Sequence, residues 1–243
     1  MISFQVWLPV GAVTLYLLDS ILWLYSNELL FLRLRGWSCA RIPAFLVGGR
    51  RVYVPNPLTP GTALFKVRWS ESDPRGEPEA VAELERFFRA LRPVSYLVNT
   101  LLAFLIALPV VLGLYGTDWH LLILVAVFYL LILVALVYIF SHRQELRLSG
   151  RAFGSLCFDS LACAPNAVNL VRKLALRRSL AGNPIAFAAR SFAPAEFARL
   201  VHAVSARVVE ELRRIEGATP RAAELDAFRL ELKAMTPERA GKI

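Results

Sequence analysis

Three long runs of apolar residues stand out along the chain, each with few charged positions. They cover residues 5–25, 95–115 and 120–140. A helix of about 21 residues spans roughly 31 Å, which matches a bilayer hydrocarbon core of about 30 Å. The runs therefore predict three transmembrane helices.

The three runs differ in their polar content. The third contains no Asp, Glu, Lys or Arg, whereas the second contains Pro109, which a membrane helix tolerates. The first contains Asp19. No Lys or Arg precedes Arg33, so the first run lacks the positive amino-terminal region of a secretory signal peptide.

Lysine and arginine residues are placed on one side of the predicted spans. Eleven of the 28 lie within 33–92 and all the others follow residue 140, while the turn at 116–119 has none. Because positive residues mark the cytoplasmic side, this pattern predicts an outside N-terminus, an outside turn and a cytoplasmic C-terminus. The arginine-rich, linker-poor composition indicates a bacterial-type inner membrane.

The topology predicts an integral membrane protein, mainly α-helical, with three transmembrane helices and a mixed α/β cytoplasmic domain that includes a small β-hairpin region. Four segments follow along the chain. They are 1–32 with the first transmembrane helix, 33–94 with a cytoplasmic β-hairpin and an interfacial helix, 95–140 with a transmembrane helical hairpin, and 141–243 with a mainly helical cytoplasmic domain.

The segment 33–94 carries β signals followed by a helical signal. Short runs rich in β-branched and aromatic residues predict strands at 42–47, 51–54 and 63–69. Gly48 and Gly49 separate the first two strands and predict a tight hairpin turn. From Pro78 the apolar residues recur at helical spacing, and we expect Pro93 to end that helix before the membrane.

The last hundred residues form the main soluble part. We expect a basic helix at 166–181, a strand or extended connection at 184–191, a helix at 194–215, and another helix that begins at Thr219 and Pro220. The segment 145–158 fits a strand and a helix equally well.

Helix 194–215 has the clearest amphipathic pattern in the chain. Val201, Val204 and Val208 fall on one face at i, i+3 and i+7 spacing, which predicts that they are buried. Arg207 falls outside this stripe, so we expect it on the outer, solvated face.

Composition excludes several classes of protein. With 56% hydrophobic and 19% charged residues, the chain is neither intrinsically disordered nor a disulfide scaffold. Cys157 and Cys163 are six residues apart, which is wrong for a CxxC pair, and the three histidines are scattered. Glycine-rich phosphate loops, nucleophile elbows and HExxH helices are absent from the sequence. We therefore expect no catalytic residue, no metal and no cofactor.

Asp19 is the one Asp, Glu, Lys or Arg residue inside a predicted span. An acid at such a depth normally faces protein or water, so we expect an intramembrane polar cluster of Asp19, Asn99 and Tyr138, which fall at similar depths. The cluster would be a polar clasp between helices. A proton or ion relay and a contact to another subunit are the alternatives.

The basic helix 166–181 carries Arg172, Lys173, Arg177 and Arg178 among leucines and valines. Basic amphipathic helices bind anionic lipid surfaces, so these four residues are candidates for contact with anionic lipid or a protein partner. Arg177 and Arg178 fall close to the apolar face, which favours ordinary packing instead. The positive-inside bias accounts for most of the net charge of +9, so we expect no nucleic-acid partner.

Together these features favour a non-enzymatic inner-membrane scaffold, assembly subunit or regulatory subunit. Its cytoplasmic domain would engage a membrane or cytoplasmic protein partner, or a second copy of the chain. One alternative is a transport or channel component, which would need additional subunits because three helices enclose no pathway. The other is a membrane-embedded lipid-acting enzyme that uses Asp19 as its acid or base.

Overall fold

The computed structural model describes residues 4–33, 36–41, 46–69, 81–115, 118–178, 180, 183–215 and 219–235. The helices are α1 Phe4–Ser20, α2 Val81–Tyr115, α3 Asp118–Ser141, α4 Gly150–Ala162, a 3₁₀ segment Ala164–Asn169, α5 Leu170–Arg177, α6 Pro184–Ser191, α7 Pro194–Arg214 and α8 Pro220–Met235. The strands are β1 Leu22–Leu24, β2 Glu28–Arg33, β3 Trp37–Cys39, β4 Leu46–Val47, β5 Arg50–Tyr53 and β6 Ala63–Arg68.

The chain forms two compact units, each assembled from separate stretches of sequence. Unit 1 consists of Met1–Leu22, Val54–Ala63 and Ala80–Arg178, and unit 2 consists of Trp23–Tyr53, Leu64–Glu79 and Ser179–Ile243. These boundaries follow packing, and they do not coincide with the four segments that the topology predicts.

Unit 1 is helical, and two of its helices are long and apolar enough to cross a membrane. Their qualifying stretches are Ala82–Val110 in α2 and Trp119–Ser141 in α3. The two helices pack against each other, and α2 also packs against α1 and α5. The part of the chain that the structure describes thus contains two candidate spans, where the sequence predicts three.

The predicted end of a helix at Pro93 is wrong, because α2 runs through both Pro93 and Pro109 without a break. Pro93 has no N–H to donate to the carbonyl of Arg89 four residues earlier. Two residues further along, the Ser95 hydroxyl donates to the carbonyl of Leu91 at 3.2 Å.

The first apolar run does not stay helical to Tyr25, as its hydrophobicity predicts. Helix α1 ends at Ser20, and Leu22–Leu24 forms β1 in a three-stranded sheet of order β1-β5-β4. Leu24 is completely buried there. A short apolar run is compatible with a strand as well as with a helix, so hydropathy alone predicted a helix that extends past its observed end. Asp19 therefore lies at the helix end, next to Ser20.

The predicted hairpin turn at Gly48 and Gly49 is confirmed. Leu46 pairs with Arg51 and Val47 with Arg50, and the two glycines have φ values of +58° and +77°. Two consecutive positive φ angles define the turn type that matches the twist of paired strands, and glycine adopts them without steric cost. The predicted strand at 42–47 is described from Leu46 onward, because 42–45 lie outside the described residues.

A second sheet, of order β3-β2-β6, carries the aromatic core of unit 2. The sequence predicts β6 but misses β2 and β3, which pair antiparallel with Phe31 opposite Cys39. Helix α6 adds Phe187 to this core, and the Phe187 ring centroid lies 4.9 Å from that of Trp37.

The extended conformation expected for 184–191 is wrong, since these residues form α6. The Asn183 side chain accepts hydrogen bonds from the backbone N–H groups of Ile185 at 2.8 Å and Ala186 at 3.3 Å. Pro184 follows as the first helical residue. An asparagine cap followed by proline is a recognised helix start, so the signal was present in the sequence.

The two last helices match their predicted positions. Val201, Val204 and Val208 of α7 are buried, and α7 packs against β3, α6 and α8. Thr219 caps α8 through a hydrogen bond from Ala222 N to its hydroxyl at 3.2 Å. In unit 1, the helix predicted at 166–181 is instead the 3₁₀ segment followed by the shorter α5.

Candidate functional site

A buried arginine of α5 lies against the end of α1 and connects polar groups from several parts of unit 1. Arg172 of α5 is 3% exposed, yet it pairs with neutral oxygen atoms. Its Nη1 donates to Ser20 Oγ at 3.2 Å and Asn169 Oδ1 at 3.0 Å. Its Nη2 donates to the carbonyls of Asn56 at 2.6 Å and Thr59 at 3.2 Å. One guanidinium thus joins α1, α5 and the loop 54–63.

Asn169 connects this arginine to the last turn of α1. Its side chain is buried, and its amide nitrogen donates to the Tyr16 carbonyl at 3.3 Å and to Asp19 Oδ2 at 2.9 Å. The Ser20 hydroxyl also donates to the Tyr16 carbonyl, at 2.8 Å. These bonds tie the carbonyl of Tyr16, one turn before the end of α1, to the side chains of Ser20 and Asn169.

Lys173 adds an ion pair on the neighbouring side of α5. Its Nζ lies 3.1 Å from Asp19 Oδ1 and 3.5 Å from Asp159 Oδ2 of α4, and its side chain is 15% exposed. Two cations and two carboxylates therefore meet in one place, and their charges cancel. We call this set the helix-end cluster, which consists of Tyr16, Asp19, Ser20, Asn56, Thr59, Asp159, Asn169, Arg172 and Lys173.

The geometry of the helix-end cluster favours holding elements together. One carboxylate oxygen of Asp19 accepts a hydrogen bond from Asn169, and the other lies 3.1 Å from Lys173 Nζ in an ion pair. Breaking a buried, hydrogen-bonded charge network by removing one member leaves the others uncompensated, which costs several kcal/mol. The cluster therefore fixes the end of α1 to α4, α5 and the loop 54–63.

Asn99 and Tyr138, the expected partners of Asp19, lie elsewhere in unit 1. The Asn99 side chain is exposed and lies against Gly61, where a Cβ atom would come within 3.3 Å of its amide. The Tyr138 ring stacks on His142 with centroids 4.2 Å apart. The partners differ from the expectation because α1 ends at Ser20, which places Asp19 at a helix terminus beside α5.

The four cations of the basic helix do not share one exposed face. Arg172 and Arg178 are buried and Lys173 nearly so, and the Arg178 guanidinium lies 4.6 Å from the centroid of the Phe87 ring. Arg177 is exposed and bonds to the Ala152 carbonyl and to Ser155 Oγ at 3.2 Å. The structure therefore brings these four residues together on no single exposed face of the kind that contact with a lipid surface would need. The proximity of Arg177 and Arg178 to the apolar stripe was the signal in the sequence.

Unit 2 contains a second candidate site, which sequence reasoning missed. It is an open groove of about 720 Å³ between α7 and the strands. We call it the arginine groove, and its lining includes Ser38, Cys39, Arg41, Arg51, Tyr53, Glu196, Arg199, Ala203, Ala206, Arg207 and Glu210. These residues come from three stretches of sequence, 38–41, 51–53 and 196–210, so no local motif in the sequence indicates the groove.

The expected solvated position of Arg207 is wrong, because this residue is 7% exposed. Its Nη1 donates to the carbonyls of Glu28 and Ser26, the latter at 3.4 Å. Burial, with a smaller contribution from nearby Arg51, lowers the pKa of Arg207 to about 10. Burial likewise raises the pKa of the Cys39 thiol to about 11, so this cysteine stays protonated near neutral pH and is a poor nucleophile.

Glu28 is a buried carboxylate in unit 2 with three donors. Its side chain is fully buried and accepts from Lys66 Nζ at 2.7 Å, Arg68 Nε at 2.9 Å and Tyr25 N at 3.0 Å. Burial by itself would raise the pKa of Glu28, but these hydrogen bonds outweigh it, and the net pKa lies below the ordinary value. The ionised form is therefore the one that stabilises unit 2.

We expect Glu28→Gln to destabilise unit 2 at neutral pH by about 1–3 kcal/mol, since hydrogen bonds to a charged group are lost. Because folding lowers the pKa, this contribution is present above the unfolded pKa and disappears as the pH falls through the folded pKa. Chemical denaturation at several pH values measures it. Glu224→Gln, at an exposed position of α8, is the matched control. An equal loss for both variants at pH 7 would contradict the role of Glu28.

Among the described residues no group of three or more His, Cys, Asp or Glu side chains could hold a metal ion. No known protein family, curated protein or solved structure matches this chain. The function is therefore inferred from the geometry and charges of the chain itself.

Proposed function

We propose that this chain is a multi-pass membrane protein with a non-enzymatic role as a scaffold, assembly subunit or regulatory subunit. The observation that carries the proposal is the apolar surface of α2 and α3. Large aliphatic and aromatic side chains on these helices are 45–67% exposed, among them Ile106, Val110, Trp119, Leu122, Ile123, Leu130, Leu133, Val134, Val137 and Phe140. Such a surface costs on the order of 1 kcal/mol per half-exposed side chain in water and nothing comparable in lipid.

The arrangement of charge around these helices supports a hairpin with both open ends on the cytoplasmic side. Arg86, Arg89 and Arg92 lie in the first turns of α2, and Arg143 and Arg147 follow α3. Residues 116–119, at the turn and the start of α3, contain no Lys or Arg. This placement fits the positive-inside rule for a bacterial-type inner membrane.

Helix α1 is the third span in this proposal, and it places the N-terminus outside. Its 17 residues are at the short end of what crosses a bilayer, and Trp7, Val10, Leu15, Leu17 and Leu18 are exposed on it. The helix-end cluster then lies at the inner boundary, where polar groups can hold the end of a short span. This position supports a structural role for Asp19 over a proton relay.

Asp19→Asn is expected to lower the stability of unit 1 by about 1–3 kcal/mol, because Lys173 then keeps the weaker, 3.5 Å contact to Asp159 alone. Asp159→Asn is the comparison, and its effect should be smaller because the Asp159 side chain is 44% exposed. Thermal unfolding in detergent measures both. A larger loss for Asp159→Asn, or no loss for Asp19→Asn, would contradict the structural role.

Native mass spectrometry of the tagged chain, extracted from its own membranes, tests the scaffold role. We expect to detect a complex of the full chain with a different protein at a fixed stoichiometry. A homo-oligomer without any partner would overturn the scaffold role in favour of a transport component. A co-purifying lipid that the protein converts to another product would overturn it in favour of an enzyme.

A further inference from the structure

The arginine groove of unit 2 has a regular layout along α7. Glu196 and Arg199 lie at one end of its helical wall, and Arg207 and Glu210 lie at the other. Ala203 and Ala206 lie between the two charged ends. Small side chains in the middle of a groove let an incoming backbone approach closely, while the charged ends fix its register.

The groove has more positive than negative charge. Arg51 pairs with Glu210 and Arg199 pairs with Glu196, so both carboxylates are engaged. Arg207 bonds to backbone carbonyls, and the structure gives Arg41 no ion pair with a described residue. The lining thus contains four arginines and two glutamates, which makes the groove complementary to an anionic ligand.

A second observation points to a missing acceptor. Arg51 is 8% exposed, and its Nε has no hydrogen-bond partner among the described residues. A buried donor without an acceptor costs about 1–3 kcal/mol, and a small movement toward a ligand oxygen would remove that cost. Arg51 lies beside Arg207, and its positive charge lowers the pKa of Arg207 further. An anion at this end of the groove would relieve the repulsion between the two cations.

The dimensions of the groove suit an extended peptide. The α7 wall from Glu196 to Glu210 is about 21 Å long at 1.5 Å per residue, the length of about six residues of extended chain. The two wall glutamates each pair with an arginine, and their negative charge disfavours a continuous polyanion. We propose that the arginine groove binds a carboxylate-rich extended segment of the partner protein. This inference rests on the proposed scaffold function and names the chemistry of its partner.

Fluorescence anisotropy tests the inference with the full chain in nanodiscs of zwitterionic lipid. The probe is a fluorescein-labelled peptide of alternating Glu and Ala, about six residues long. A peptide of alternating Gln and Ala serves as the matched probe. We expect binding of the glutamate peptide, weakened by added salt, and much weaker binding of the glutamine peptide.

The variant Arg41→Gln/Arg199→Gln changes two exposed arginines of the lining and leaves buried Arg51 and Arg207 in place. It should weaken peptide binding by at least about tenfold, because charge-assisted hydrogen bonds are lost. Arg213→Gln is the matched control, since Arg213 is exposed on α7 and is not part of the lining. Its affinity for the peptide should equal that of the unmodified chain.

Four outcomes would overturn the inference. They are no binding at about 1 mM peptide, equal binding of the glutamine peptide, equal weakening by Arg213→Gln, and displacement of the peptide by inorganic phosphate or anionic vesicles at equal charge concentration. The last would assign the groove to a phosphate group or a lipid surface. None of them affects the native mass measurement, so a protein partner that binds elsewhere would leave the scaffold function intact.

Discussion

Replacing Arg172 with alanine is expected to prevent stable folding of unit 1. The change removes the donor that serves Ser20, Asn169 and two backbone carbonyls of the loop 54–63. Breaking such a buried network costs on the order of 3–5 kcal/mol, a large share of the 5–15 kcal/mol that typically separates folded from unfolded protein. Size-exclusion chromatography and thermal unfolding of the detergent-solubilised protein measure the loss.

Arg151→Ala provides the control for this experiment. Arg151 is an exposed arginine of α4 in the same unit, and its removal should change stability by no more than about 0.5 kcal/mol. Arg172→Lys should recover little of the loss, because one ammonium group cannot reach all four acceptors that the two Nη atoms of Arg172 serve. Equal stability of the Arg172→Ala and Arg151→Ala proteins would contradict the organising role of Arg172.

Two substitutions in α7 are expected to damage unit 2 severely. Val204→Asp places a charge where the side chain is completely buried, which should cost more than about 4 kcal/mol. Arg207→Asp leaves the Ser26 and Glu28 carbonyls without their donor and puts an acid beside them. The yield of folded protein in membranes, with limited proteolysis of unit 2, measures both effects.

His202→Asp is the matched change at an exposed position of the same helix. It should accumulate to the level of the unmodified chain, because an exposed carboxylate stays hydrated. The comparison distinguishes the position of Arg207 on α7 from the exposed position of His202, which helical periodicity alone does not do. If Arg207→Asp accumulates as well as His202→Asp, Arg207 is solvated as periodicity predicts, and the structural account of its burial is wrong.

Local signals in the sequence predicted the elements that local chemistry determines. Gly48 and Gly49 indicated a turn with positive φ angles, and Thr219 with Pro220 indicated a helix start. The stripe of Val201, Val204 and Val208 indicated the buried face of α7. In each case the residues that carry the signal also make the structure, within one or two helical turns.

The burial of the charged residues was not predictable, because the atoms that accept their hydrogen bonds are distant in the sequence and are often backbone atoms. The carbonyls of Asn56 and Thr59 accept from Arg172 across more than a hundred residues of sequence. Carbonyl oxygens carry no residue identity, so neither composition nor spacing reveals them. The same reason explains Arg207, whose acceptors are also carbonyls of a distant segment.

Because α1 ends earlier than predicted, Asp19 has other partners than the predicted ones. Depth estimates assumed a helix that continues to Tyr25, whereas the strand β1 begins at Leu22. A strand at that point needs β5 as a partner, and pairing with a strand almost thirty residues away is a tertiary effect that outweighs the local preference of an apolar run.

The most direct test of membrane insertion compares two leucines with nearly equal exposure. Leu130 of α3 is 59% exposed and Leu230 of α8 is 61% exposed. A spin label replaces each in turn, in liposomes and in a chain whose native cysteines have been replaced, and its collisions with oxygen and with a water-soluble nickel complex are measured. We predict that oxygen relaxes the label at 130 while nickel does not, and that nickel relaxes the label at 230. Strong relaxation by nickel at both positions would show that α3 lies in water and would contradict the membrane-spanning hairpin.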